Sequence, residues 1–452
     1  MKLLRLLGLC GLALPAFGQY AGPAILSRGE APAAMAVPKV DFSFSLAATG
    51  TYTNGLAGVS APDSQGQLAS TSSFGESITF GVSGAHSWKH THVGLSYSGG
   101  LSHYSKSGFF DGMSHGLSLG LTHQFTKHVG FSLRESAGMF TQFAPGTVSL
   151  NSSVPFDPSQ SFIPTTDFYD NRTIYTSTQA DVTFQKSSRL SFDFGGGYFA
   201  VIRRSSALFG SAGQTASGDV QYRLSRRTTI GGSYAFSHYG YPNSIGGANV
   251  HMASATVSVR LSRWTEFSFF GGGARVESDF QQTVPIDPQI LGILCPAALI
   301  DALHPCTVTG STVNSHNLLW APNFGARYSR SFRRGVAYVS AGESITPGNG
   351  LFLTSRAATA SAGYGYTGLR KWSLGVGVGY ITALSLGNVK GNYGQVSGSY
   401  SMSRQIVGSL SFVSSFGATQ YQSANFNGYN RLIYFVSAGL GFSSKNIPIR
   451  FF

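Results

Sequence analysis

From Phe42 onward, apolar residues alternate with polar or small ones in runs of about a dozen residues. The clearest run sets Leu190, Phe192, Phe194, Gly196, Tyr198, Ala200 and Ile202 against Ser191, Asp193, Gly195 and Gly197. Others carry the stripes Val93, Leu95 and Tyr97; Val257, Val259 and Leu261; and Leu374, Val376, Val378 and Tyr380. A period of two sorts side chains onto the opposite faces of a strand, which a helix cannot do. About eighteen such runs can be counted, with sixteen as the competing number, and both are even.

Two kinds of connection alternate between the runs. Short turns bearing Lys or Arg follow the even-numbered runs, at 87–91, 126–128, 186–189, 225–227, 262–264, 329–335, 368–371 and 403–405. Longer segments follow the odd-numbered runs, at 56–72, 105–112, 144–171, 203–209, 239–248, 279–312, 346–353, 385–392 and 419–430. One hairpin is therefore written repeatedly, which makes this a repeat architecture and not a string of unrelated domains.

Composition says what surrounds the hairpins. Hydrophobic residues make up 42% and charged residues only 11%, whereas a soluble chain carries roughly 25% charge. No stretch beyond the leader reaches the ~18 consecutive apolar residues of a membrane helix. Much of the outer surface thus avoids water, and alternating strands can satisfy their backbone hydrogen bonds in lipid only by closing into a barrel. The expected fold is all-β: a transmembrane antiparallel up-and-down barrel of about 18 strands over residues 42–452.

The first residues fit export. Lys2 and Arg5 precede an apolar run over 6–14, and Ala16 and Gly18 are small where a signal peptidase inspects, so residues 1–18 are expected to be cleaved before Gln19. Leu9 ahead of Cys10 argues against a lipid anchor. Residues 19–41 are Pro- and Ala-rich without periodicity and read as a short segment ahead of the barrel. Trp88, Trp264 and Trp372 sit beside basic turns and Tyr222, Tyr328 and Tyr400 a few residues before them, the placement of an interfacial aromatic girdle.

These features resemble the Gram-negative outer-membrane β-barrel proteins, porin-like in size. The likeness covers residues 42–452 and rests on leader, alternation, loop asymmetry, girdle and the terminal Phe451 and Phe452. It implies an outer-membrane location, periplasmic short turns, extracellular long loops, and handling by the barrel-assembly machinery through Phe452. The match at the end is imperfect, because the last run ends near Phe442 and 443–452 reads as a tail or a further strand.

The formal net charge is +13, and loss of Lys2 and Arg5 with the leader takes it to +11. Thirteen of the basic residues occupy the short turns, where they would face lipid headgroups. Spread around a rim and not along a groove, they speak against nucleic acid as a partner. If the apolar parity faces lipid, Asp181, Asp193, Asp219, Arg223, Arg260, Glu266 and Arg327 point into the lumen near the turns. Such a ring either imposes ion selectivity or forms cross-strand pairs that brace the barrel, and the mixture of signs favours bracing. Other inward positions, such as Ser361, Gly363, Gly365, Gly375, Gly377 and Gly379, are small and leave room for water or an inserted loop.

The segment 279–312 holds Cys295 and Cys306, which an exported chain would join in a disulfide. It is positioned to constrict the lumen, to cap it outside, or to meet a partner. Catalytic signals are weak. Gly116, Ser118 and Gly120 match G-x-S-x-G, but inside an alternating run and not at a strand-to-helix turn. Neither HExxH nor CxxC occurs, so no metal, cofactor or catalytic residue is assigned. Glu135 lies on the apolar parity, which calls for a bulge or a protein contact. The functional expectation is a porin-like channel for passive diffusion of small hydrophilic solutes. A structural or surface-binding barrel without an open pore is the alternative, and an outer-membrane hydrolase the third reading.

Overall fold

A computed structural model describes residues 40–57, 70–105, 111–140, 173–203, 209–242, 246–284, 311–348, 353–366, 368–386, 391–423, 431–444 and 447–449. Its long strands are β1 (Val40–Ala57), β2 (Ser70–Ser87), β3 (Thr91–Tyr104), β4 (Gly112–Gln124), β5 (Val129–Phe140), β6 (Thr173–Gln185), β7 (Leu190–Arg203), β8 (Ser211–Arg223), β9 (Thr228–Gly240), β10 (Gly246–Ser262), β11 (Thr265–Val284), β12 (Ser311–Phe332), β13 (Gly335–Thr346), β14 (Ser355–Tyr366), β15 (Trp372–Ser385), β16 (Asn392–Val407), β17 (Leu410–Ser423) and β18 (Arg431–Ser443). Each pairs antiparallel with its sequence neighbours, and β18 returns to β1 in a ladder from Ser45↔Ser443 to Asn54↔Tyr434. The sheet closes with 18 long strands and no open edge.

A short β19 (Ile447–Ile449) extends the seam by pairing with Val40–Phe42. Part of the C-terminal segment therefore continues the wall, while 450–452 lie outside the described residues. At the seam the strands approach closely. A Cβ on Gly439 would lie 2.0 Å from the Ala48 carbonyl oxygen, so only glycine lets β18 meet β1 in this register.

Alternation settles which face is which. Phe194, Tyr198 and Ile202 of β7 and Val376, Val378 and Tyr380 of β15 are exposed on the outer wall, and their odd- or even-numbered counterparts face inward. An exposed belt of this chemistry on a closed sheet is what lipid solvates. On β12 the belt runs from the exposed Trp320 to Phe332 at the turn. Those thirteen residues, twelve steps, span about 40 Å along the strand and about 30 Å once a tilt near 40° is allowed for.

Connections after even strands are two to five residues long, and those after odd strands five to 32. Local chemistry makes the tight ones. The Ser187 hydroxyl accepts from the Arg189 and Leu190 amides (3.2 and 3.1 Å), and Ser225 does the same for Arg227 and Thr228 (3.1 and 3.0 Å). Side-chain oxygens thus take up amides that the turning backbone cannot. Strands β11 and β12 reach further than alternation alone suggests. Asp279 and Thr312 lie inside them, which leaves 285–310 as the connection.

Candidate functional site

All seven charged residues expected in the lumen lie on inward positions of β6–β12. The structure pairs several of them. Asp181 accepts from the Arg134 guanidinium at 3.0 Å, the Ser132 hydroxyl at 3.2 Å and the Gln179 amide at 3.1 Å. Asp193 accepts from Thr183 at 2.6 Å and stands opposite Asp219 on the next strand. Arg260 stands directly opposite Glu266, and Arg327 lies beside the inward Tyr338. Arg134 was missed in the sequence because no partner for it is visible until β5 and β6 are in register. With it the turn-side half of the arc carries Arg134, Arg223, Arg260 and Arg327 against Asp181, Asp193, Asp219 and Glu266, so the signs balance there, while Arg203, also inward, stands at the loop end of β7.

Around the rest of the circumference, many of the described inward positions carry hydroxyl pairs. Ser43 meets Ser83 (2.6 Å), Thr49 meets Ser77 (2.8 Å), Ser373 meets Ser403 (3.1 Å) and Ser415 meets Ser437 (2.6 Å). Each pair is directly opposite in register. On β14 and β15 the expected small positions hold, with Ser361 hydrogen-bonded to Ser340 at 2.8 Å and Gly363, Gly365, Gly375, Gly377 and Gly379 inward.

Nearer the long loops the lumen departs from the expectation of small residues. Phe199, Val201, Tyr239, Val250, Val276 and Phe280 face inward and form one buried cluster, with Val250 at 0% exposure. The reason is local: on β7 the alternation of Ser191 to Gly197 gives way to Phe199 and Val201, so both faces become apolar there. Tyr241, one residue past β9, shares a 2.7 Å hydrogen bond between hydroxyls with Thr354, one residue before β14. Five strand spacings separate β9 from β14, at least about 24 Å along the wall. The two ends touch only because the wall folds inward, so the loop-side mouth is pinched. Burial holds the Tyr241 phenol well above its ordinary value, with the Thr354 hydroxyl working in the opposite direction.

The outer face has its own polar boundary on the loop side. His316 bonds Asp279 at 2.6 Å, His103 bonds Asp111 at 2.7 Å, and Arg275 pairs with Glu277 and Arg356 with Glu343. On the turn side Trp372, Tyr222, Tyr328 and Tyr400 occupy outward strand positions, and Trp88 and Trp264 are exposed in the turns themselves. Arg263 and Arg404 lie over the rings of Trp264 and Trp372 at 5.4 and 4.9 Å, a cation held at the rim by an aromatic face. Trp320 marks the opposite boundary.

Glu135 is the exception within the belt. Its pairing with β4 and β6 is continuous, so there is no bulge. The hydroxyls of Thr176 and Thr178, also outward, donate to its carboxylate instead.

Ser118 sits in mid-strand opposite Ser96 and Ser136, without the turn that a nucleophile elbow needs. Cys295, Cys306, residues 1–39, where the cleaved leader is expected, and Phe452 lie outside the described residues.

No protein-family model and no curated protein matches the chain. Solved structures similar to it include OccAB4 of Acinetobacter baumannii (10% identity, 90% of this chain and 98% of that one, TM-score 0.40). OpdQ of Pseudomonas aeruginosa (10%, 91% and 98%, 0.42) and the ferric citrate transporter FecA (13%, 86% and 60%, 0.41) are further ones. The class defined here, a closed 18-strand antiparallel barrel with a lipid-facing belt, rests on the strand register and the exposed apolar wall.

Proposed function

We propose that this chain is an outer-membrane channel for passive diffusion of small hydrophilic solutes, with its tight turns in the periplasm and its long loops outside. One observation carries the reading: an 18-strand ring is too wide for its own side chains to fill, and over most of the circumference its inward side chains are Gly, Ser, Thr and Ala. Such a wall holds water. The leader, cleaved before Gln19, and the terminal Phe452, recognised by the barrel-assembly machinery, belong to the same proposal. So do a Cys295–Cys306 disulfide, the interfacial girdle and the absence of catalytic chemistry.

The pinched mouth favours a second reading, a barrel that stays shut and serves through its surface. Reconstitution of the purified chain in a planar bilayer separates the two. Stepwise conductance supports the channel, and a silent bilayer with correctly folded protein favours the closed barrel.

A further inference from the structure

The lumen's charge pattern says what kind of solute such a channel would favour, an inference that rests on the channel reading above. Among the described side chains, inward charge lies on one arc of the wall, β5–β12; in its turn-side half four basic groups face four acidic ones, and Arg203 stands apart at the loop end of β7. One acid is held by a base, Asp181 by Arg134, with Gln179 and Ser132 completing its shell, and Glu266 stands opposite Arg260 in register. An entering ion therefore meets both signs on neighbouring strands, whose fields largely cancel across the lumen, while it loses part of its own hydration there.

The facing arc offers something different. Its hydroxyl pairs, such as Ser43–Ser83, Thr49–Ser77, Ser373–Ser403 and Ser415–Ser437, are neutral and can both donate and accept. A polyhydroxylated molecule presents the same groups in return, and it can exchange bonds with water for bonds with the wall at little cost. We propose that the lumen favours uncharged, polyhydroxylated solutes over ions of similar size, through charge balance on one arc and hydroxyl ladders on the other.

The test uses the full chain in proteoliposomes and planar bilayers. Swelling should be about threefold or more faster with an uncharged hexose than with a hexuronate or a hexosamine of the same size. In a potassium chloride gradient the zero-current potential should be close to zero, with a cation-to-anion permeability ratio within about twofold of one. Arg134→Gln should shift that ratio toward cations and Asp181→Asn toward anions, each by roughly threefold, because each frees one sign. Opposite shifts from one pair cannot come from misfolding.

Equal or faster swelling with either charged sugar overturns the proposal, as does strong ion selectivity of the unaltered chain or same-direction shifts from the two variants. If no solute or ion passes, the channel reading itself fails. That outcome is distinct from permeation with the wrong preference.

Discussion

Tyr241→Phe tests whether the hydrogen bond across the barrel keeps the mouth shut. The bond joins two buried hydroxyls, Tyr241 and Thr354, at 2.7 Å, and Thr354 has 0% exposure. Phenylalanine keeps the ring, including its 6.0 Å contact with Phe280, and removes only the phenolic oxygen. It leaves the Thr354 hydroxyl buried without this partner, which costs about 1–3 kcal/mol in the closed form. In an open form both hydroxyls meet water, so nearly all of that cost falls on closure. At about 1.4 kcal/mol per factor of ten, the open-to-closed ratio should rise by roughly five- to hundred-fold. Thr354→Val added to Tyr241→Phe removes the stranded group and should return the ratio most of the way toward its original value, since losing both partners is nearly neutral. Single-channel open probability in planar bilayers reads the ratio directly. An open probability unchanged in Tyr241→Phe, or a double variant more open than the single one, would refute the claim that this bond holds the wall inward.

Three further outcomes follow from the geometry. Because the Tyr241 phenol titrates above its ordinary value of 10.0, closure should be constant below pH 10 and weaken above it, as the open form ionises first; open probability recorded against pH checks this, and a change already at pH 8 would point to another group. Gly439→Ala sets a methyl group 2.0 Å from the Ala48 carbonyl oxygen at the seam and should cost about 2–4 kcal/mol, seen as a lower urea midpoint in lipid vesicles; an unchanged midpoint would mean that β1 and β18 do not close in this register. Glu135→Leu exchanges a carboxylate on the lipid face for a group that lipid solvates and should stabilise the barrel by about 1 kcal/mol, whereas a loss would reveal a protein partner against β5 and β6.

The barrel was legible in the sequence because period-two alternation is a property of single strands. Leu190 to Ile202 shows its two faces without reference to any other part of the chain, and the parity of short and long connections orders the strands as hairpins. The inward placement of Asp181, Asp193, Asp219, Arg223, Arg260, Glu266 and Arg327 followed from the same parity. What parity cannot give is register. The serine pairs, Arg134 beside Asp181 and the threonines that solvate Glu135 come from different strands, and they meet only when a specific offset aligns them.

The hairpin order and the inward placement of those seven charged residues were therefore determined locally, residue by residue, while the strand number was left between sixteen and eighteen. The pinched mouth was decided by the tertiary structure alone. Phe199 and Val201 signal that β7 changes character, but nothing local says that Tyr241 will reach Thr354, because that contact spans 113 residues and depends on how a closed wall bends to bury apolar side chains that its lumen would otherwise expose to water.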